Sequence, residues 1–209
     1  MVYWHIVPSV KTLDDALAAC DKALSLDAKN ATFYALKARV LLARKEYSLA
    51  INANEKAISL NPTLAVALCG LGDSLAYEGR YDEALKFFDQ AINLSPNDPQ
   101  LWAFLTYGAL ALLFQEKFNE ALEWTIRASN IPNYQYWTTA HKLVAHAYLD
   151  NQADIEITKA KLLQECPNFS CSFARQKLFF LKKQSQVDLY IKGLQLAGIQ
   201  EGQFPPTKP

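Results

Sequence analysis

Small and large apolar residues return along this chain at a fixed interval. Within 14–27, 48–61 and 82–95 the apolar positions recur three or four residues apart, a spacing that puts them on one face of a helix. Two series of alanines share a period of 34 residues: Ala16, Ala50 and Ala84, and Ala23, Ala57 and Ala91. The pattern predicts a repeated unit of two helices, each about 12 to 14 residues long.

Helix-breaking residues fall where such a unit needs its turns. Gly79 follows the first helix of one unit, where a left-handed cap is expected, and Pro62 and Pro96 each end a second helix. A further copy of the second helix, at 119–132, comes 37 residues after its predecessor, so three residues have been added upstream of it. The breaks therefore support the same two-helix unit.

We predict a single domain over 1–201, followed by a flexible tail at 202–209. Its parts are an incomplete first repeat at 1–28, repeats at about 31–64, 65–98 and 99–135, a divergent repeat at 136–168, and a helical cap at 169–198. In the divergent repeat Ile155 and Leu162 stand at the two positions that hold small residues elsewhere. Its helices should therefore cross at a wider separation.

The unit resembles the tetratricopeptide repeat. Counted from Ala65, the signature residues are Leu68, Leu71, Gly72, Leu75, Ala84, Phe88, Ala91 and Pro96. The resemblance implies an all-α fold, a right-handed α-solenoid of antiparallel helix pairs. One unit buries only part of its apolar surface, so units must stack on one another.

A second resemblance begins at Asn97. The segments "CPNFSCSFARQKL" and "YIKGLQLAGI" are similar to the carboxy-terminal tetratricopeptide region of bacterial adenylate-cyclase-type or winged-helix signalling proteins. This resemblance implies a module of a larger signalling protein, with its output domain upstream.

The amino terminus holds an apolar cluster of Tyr3, Trp4, Ile6 and Val7 before Pro8. Such a cluster would pack on an earlier helix in a longer chain, or would cap the array in a complete one. It could also pair with a second copy of the chain, which makes self-association the alternative function.

Composition narrows the classes of partner. The 21 basic and 21 acidic residues balance, so no overall positive field favours nucleic acid. No apolar run reaches the length of about 20 residues that a membrane helix needs, and no signal peptide is evident. The four cysteines include no CxxC pair and are expected to be reduced. We therefore expect a cytoplasmic protein without membrane insertion or nucleic-acid binding.

Sequence motifs for chemistry are lacking. Phosphate loops, nucleophile elbows and HExxH runs do not occur. His141 and His146 are five residues apart and point to different sides of a helix, while Cys166 and Cys171 would need two further ligands for zinc. We predict no catalytic residue, no cofactor and no metal site.

The remaining function is binding by shape. First helices of such a stack line its concave side, and the predicted groove includes Arg39, Asp73, Tyr77 and Tyr107. Arg39 and Asp73 could instead form an ion pair between adjacent helices. The sequence thus predicts a scaffold that binds a protein or peptide segment in its concave groove.

Overall fold

The computed structural model describes residues 8–202, and within this range it contains helices and no strand. The eleven helices of the described part are α1 (Val10–Leu26), α2 (Ala31–Ala43), α3 (Tyr47–Leu60), α4 (Ala65–Glu78), α5 (Tyr81–Leu94), α6 (Leu101–Phe114), α7 (Phe118–Ser129), α8 (Tyr136–Tyr148), α9 (Gln152–Glu165), α10 (Cys171–Lys177) and α11 (Gln184–Leu196). The cluster at Tyr3, Trp4, Ile6 and Val7, and the tail from 203 onward, lie outside the described residues.

The helices form successive pairs in two layers. Each of α2, α4, α6 and α8 packs against the helix that follows it, and within this series α2 contacts α4, α4 contacts α6 and α6 contacts α8. The first helices of the pairs therefore make one continuous inner layer, and the second helices make the outer layer. This arrangement is an all-α solenoid, as the sequence predicts.

Small residues hold each of the first three complete pairs together. The alanines at equivalent places in the second helices are fully buried: Ala50 and Ala57, Ala84 and Ala91, and Ala121 and Ala128. A Cβ atom added to Gly72 of α4 would lie 3.0 Å from the Phe88 ring of α5. The two helices therefore approach so closely that only a residue without a side chain fits at this point.

Each pair turns through the same left-handed motif. The residue two positions before the second helix has a positive φ in each of the four pairs: Lys45, Gly79, Glu116 and Asp150. An amide one residue further on donates back to a carbonyl of the first helix, for example from Arg80 to Leu75 at 2.9 Å. Gly79 thus has the predicted left-handed conformation, with φ at 95°. The other three turns adopt it with residues that carry side chains.

The same turn fixes the register of the third unit. The amide of Lys117 donates to Leu112, which is 37 residues after Leu75, so the three added residues lie before α6. That helix begins at Leu101, and residues 97–100 form the connecting turn. Tyr107 is consequently the counterpart of Gly70, rather than of the inward-facing Asp73.

The fourth pair departs from the others as its sequence indicates. Ile155 and Leu162 of α9 are buried at the positions that hold alanine elsewhere. The backbones of α8 and α9 make fewer close approaches than those of the preceding pairs. Larger side chains at these positions keep the two helices further apart.

Replacing Ala84 by Leu should overpack the crossing of α4 and α5. We expect a loss of about 1 to 3 kcal/mol in the free energy of unfolding, measured by urea denaturation. Ala18→Leu is the matched control, because Ala18 lies on the exposed side of α1 and should tolerate the same change. Equal stability of the two variants would contradict this account of the crossing.

Candidate functional site

The carboxy-terminal segment folds back onto the inner layer. Helix α11 packs against α6 and α8, and residues 178–186 pass over the end of α4. The Gln186 amide nitrogen donates to the Ala76 carbonyl and to the Tyr81 hydroxyl, both at 3.1 Å. A side chain of α11 thus forms hydrogen bonds with two groups of the repeat at 65–98.

Aromatic contacts fix the same segment over α3 and α4. Phe180 is fully buried, with its ring centroid 4.8 Å from that of Tyr77. The Tyr47 hydroxyl donates to the Phe180 carbonyl at 2.9 Å, and Lys182 pairs with Glu78 at 2.9 Å. The segment is therefore part of the folded core.

Two tyrosines attach α11 to α8. The Tyr190 hydroxyl shares a 2.7 Å hydrogen bond with Nδ1 of buried His141, and the Tyr148 hydroxyl donates to the Leu189 carbonyl at 2.7 Å. A Cβ at Gly193 would lie 2.7 Å from Val144, so α11 approaches α8 closely. The inner faces of α4, α6 and α8 are thus occupied in part by the chain itself.

The structure separates the four predicted groove residues. Asp73, Tyr77 and Tyr107 are buried, with at most 4% of each exposed, whereas Arg39 is partly exposed. Tyr77 lies beneath Phe180. Of the four, only Arg39 is not buried, and the groove as a peptide site stays a prediction.

Asp73 is the one carboxyl group among the four predicted groove residues, and its pKa is strongly shifted. Burial raises the pKa of Asp73 to about 7, although the Arg39 charge and a hydrogen bond from Tyr77 act in the opposite direction. Desolvation thus outweighs the attraction of the nearby cation. Asp73 is therefore buried, unlike a member of the exposed ion pair considered from the sequence.

An open cleft lies at the amino-terminal end of the inner layer, between α1 and α2. Its volume is about 410 Å³. The residues that line this amino-terminal cleft are Pro8, Thr12, Leu13, Ala16, Ala19, Cys20, Leu36, Arg39, Val40 and Ala43. Leu36 is 49% exposed there, and Arg39 supplies the cationic group of the wall.

Helix α1 borders this cleft with one side uncovered. None of its 17 residues is buried, although every other second helix of a pair has buried residues. Ion pairs from Lys37 to Asp21 and from Arg44 to Asp14 attach α1 to α2. This cleft was not predicted from the sequence, although Ala16 holds the place in the 34-residue period at which Ala50 and Ala84 are fully buried.

His141, His146 and Cys171 each contact other groups of the protein. Burial lowers the pKa of His141 to about 3, so the ring is neutral where it meets Tyr190. His146 contacts the Asn151 amide, and the Cys171 thiol lies 3.5 Å from the Ile199 carbonyl. Residues 8–202 contain no group of three or more His, Cys, Asp or Glu side chains placed to hold a metal.

The helices of the described part are also too short or too polar for a membrane span, since none combines the required length with sufficient hydropathy.

Comparison with known families identifies the repeats. The family description "Tetratricopeptide repeat" matches residues 31–64 and, separately, residues 65–98. These are the two units whose boundaries follow from the 34-residue period. The chain thus contains tetratricopeptide repeats, and its fold is a tetratricopeptide solenoid.

Curated relatives share the repeats over part of their length. "Tetratricopeptide repeat protein 33" of Mus musculus is 27% identical over 73% of this chain, and that of Xenopus laevis is 31% identical over 58%. The "DnaJ homolog subfamily C member 3 homolog" of Dictyostelium discoideum is 33% identical over 42% of this chain. The chain spans 62%, 47% and 18% of these relatives, respectively.

Solved structures share the fold at low identity. Pseudomonas aeruginosa pilF superposes with a TM-score of 0.68 at 19% identity, covering 88% of this chain and 82% of its own. YrrB, described as a TPR protein with an unusual peptide-binding site, gives 0.59 at 18% identity, covering 87% and 92%. These comparisons support the solenoid and lend no support to the finer resemblance to adenylate-cyclase-type or winged-helix signalling proteins.

Asp73 should make stability depend on pH in a defined direction. Between about pH 4 and pH 7 the folded state keeps a proton on Asp73 that the unfolded chain has lost. Its contribution to stability is therefore full below the unfolded pKa and is lost as pH rises toward 7, by about 1.4 kcal/mol for each unit of pKa difference.

Asp73→Asn isolates this contribution to stability. The lowered pKa of His141 changes stability with pH in the opposite direction, but it does so equally in wild type and variant and therefore cancels from the comparison. The difference in unfolding free energy between wild type and variant should fall as pH rises from 4 to 7. Urea denaturation at several pH values provides the measurement. A difference independent of pH would refute the titration of Asp73.

Removal of the Phe180 side chain should loosen the whole solenoid. We expect Phe180→Ala to cost about 3 to 5 kcal/mol, since it leaves a cavity above Tyr77. Phe179→Ala is the matched control: its ring is only half-buried and should cost less. Thermal unfolding followed by circular dichroism compares them, and a Phe180 variant no weaker than the control would show that the segment is not part of the core.

Proposed function

We propose that this chain is a protein-interaction module that binds an amphipathic helical segment of a partner in the amino-terminal cleft. The observation that carries the proposal is the uncovered side of α1, where every complete unit has a first helix in place. Tetratricopeptide solenoids act through such extended surfaces, and their functions are in general protein interactions.

The repeat itself indicates what kind of segment fits. In the complete units Ala50, Ala84 and Ala121 are buried beneath α2, α4 and α6. Ala16 holds the equivalent position in α1 and is only half-buried. A segment with the character of a first helix, small at the crossing and aliphatic on either side, would cover it as those helices cover their partners.

The polar features of the cleft restrict how that segment could lie. The walls are apolar apart from Thr12 and the guanidinium of Arg39. An acidic residue on the partner could approach Arg39, whose field already acts on buried Asp73. Asp73, Tyr77 and Tyr107 would then support the surface from beneath, and Arg39 alone of the predicted groove would touch the partner.

This proposal contains no catalytic step, cofactor or metal. It is compatible with a role as the regulatory part of a larger signalling protein, which remains a hypothesis from the resemblance of residues 97–202. It also predicts that the carboxy-terminal segment, whose Phe179 lies beside the cleft residues Pro8, Leu13 and Ala43, stays folded while the partner binds.

A labelled copy of a first helix from this same chain tests the cleft. We expect a fluorescein-labelled peptide with the sequence of residues 65–78 to bind dilute protein, measured by fluorescence polarisation. Ala16→Arg should weaken binding at least about tenfold, because the guanidinium would project into the cleft. Ala18→Arg, on the exposed side of the same helix, should leave binding unchanged.

A peptide of the same composition in scrambled order controls for general hydrophobic adsorption. Equal binding of both peptides, or equal binding to both arginine variants, would overturn the proposal.

A further inference from the structure

We propose that the amino-terminal cleft binds helix α1 of a second copy of this chain, so that two copies form a twofold-symmetric dimer. The inference rests on the proposed function, because it names the partner for the same cleft. In such a dimer each α1 lines its own cleft and fills that of the other copy, and one interface covers both uncovered helices.

The side of α1 that faces the cleft can pack against itself. It presents small residues at helical spacing, Ala16, Ala19 and Cys20. Small residues let two helix backbones approach closely, and the flanking Leu13 can then interlock with the neighbouring helix. The complete units use the same device, with Ala38 on one helix and Ala50 on the other, both buried.

The orientation follows from the repeat. First and second helices of a unit run antiparallel, so a helix that packs in the cleft as a first helix packs in the complete units must run antiparallel to α1. Two α1 helices related by a twofold axis perpendicular to them meet this condition. Each partner helix would also contact the α2 wall, where Leu36 is 49% exposed.

The charges of α1 fit this antiparallel pairing. Asp14 and Asp21 face α2 and are engaged by Arg44 and Lys37. Asp15 and Lys22 are exposed and have no ion pair among the described residues. They lie seven residues apart, two turns along the border of the cleft away from α2. Antiparallel pairing centred near Ala18 and Ala19 sets each Asp15 opposite the partner's Lys22, twice per dimer.

The size of the contact predicts a reversible dimer. Helix α1 has 17 residues and is about 26 Å long, so the contact lies at the small end of stable interfaces. The dimer should therefore dissociate on dilution within the range that sedimentation velocity can follow.

Sedimentation velocity of the full chain over a concentration series tests the inference. Wild type should dimerise, and Ala16→Arg should remain monomeric at the same concentrations. Asp15→Lys or Lys22→Asp alone should raise the dissociation constant about tenfold, since two attractive contacts per dimer become repulsive. The double variant Asp15→Lys with Lys22→Asp should restore dimerisation, because the pairs are re-formed with exchanged signs.

Circular dichroism of Ala16→Arg confirms that the variant folds, which is expected because Ala16 is half-exposed. A wild type that stays monomeric, a dimer that survives Ala16→Arg, or a double variant no better than the single ones would overturn the inference. Binding of the 65–78 peptide to a monomeric wild type would retain the cleft as a partner site and reject only the second copy. If the wild type neither dimerises nor binds the peptide, both proposals are rejected.

Discussion

The structure depends on one constraint: each helix has an apolar stripe wider than a single neighbour can cover. Within a pair, part of that apolar stripe is buried where the two helices cross at small residues, such as Gly72 and Ala84. Stacking on the next pair buries more of it. Because every unit depends on its neighbours, stability is shared along the array. At the two ends of the described array, the apolar stripes of the terminal helices are covered differently from those of the central pairs.

The carboxy-terminal end solves it internally. Helix α11 and the segment before it cover the inner layer with Phe180, Gln186 and Tyr190, each buried and each in contact with a first helix or its turn. These polar contacts satisfy buried groups that would otherwise be costly to remove from water. The same coverage places Tyr77 beneath Phe180 and out of reach of a partner.

The amino-terminal end keeps an uncovered helix in the described structure. Ala16 and Ala23 hold the places where their equivalents are fully buried, and they remain only half-buried. An apolar surface of this kind marks an interaction site in a folded protein. The apolar faces of the terminal helices must be buried at both ends. A bound partner would bury that face at the amino-terminal end, as the chain's own carboxy-terminal segment does at the other.

The sequence by itself determined the helices, their pairing and the small crossings, because the 34-residue period and the breaks at Gly79, Pro62 and Pro96 are local signals that any stacked arrangement must obey. Only the tertiary structure decided that α11 returns across the inner layer, since contacts such as Gln186 with Ala76 join residues more than a hundred positions apart and leave no periodic trace. For the same reason burial, rather than position in the repeat, determined that Arg39 is open while Asp73 and Tyr77 are enclosed.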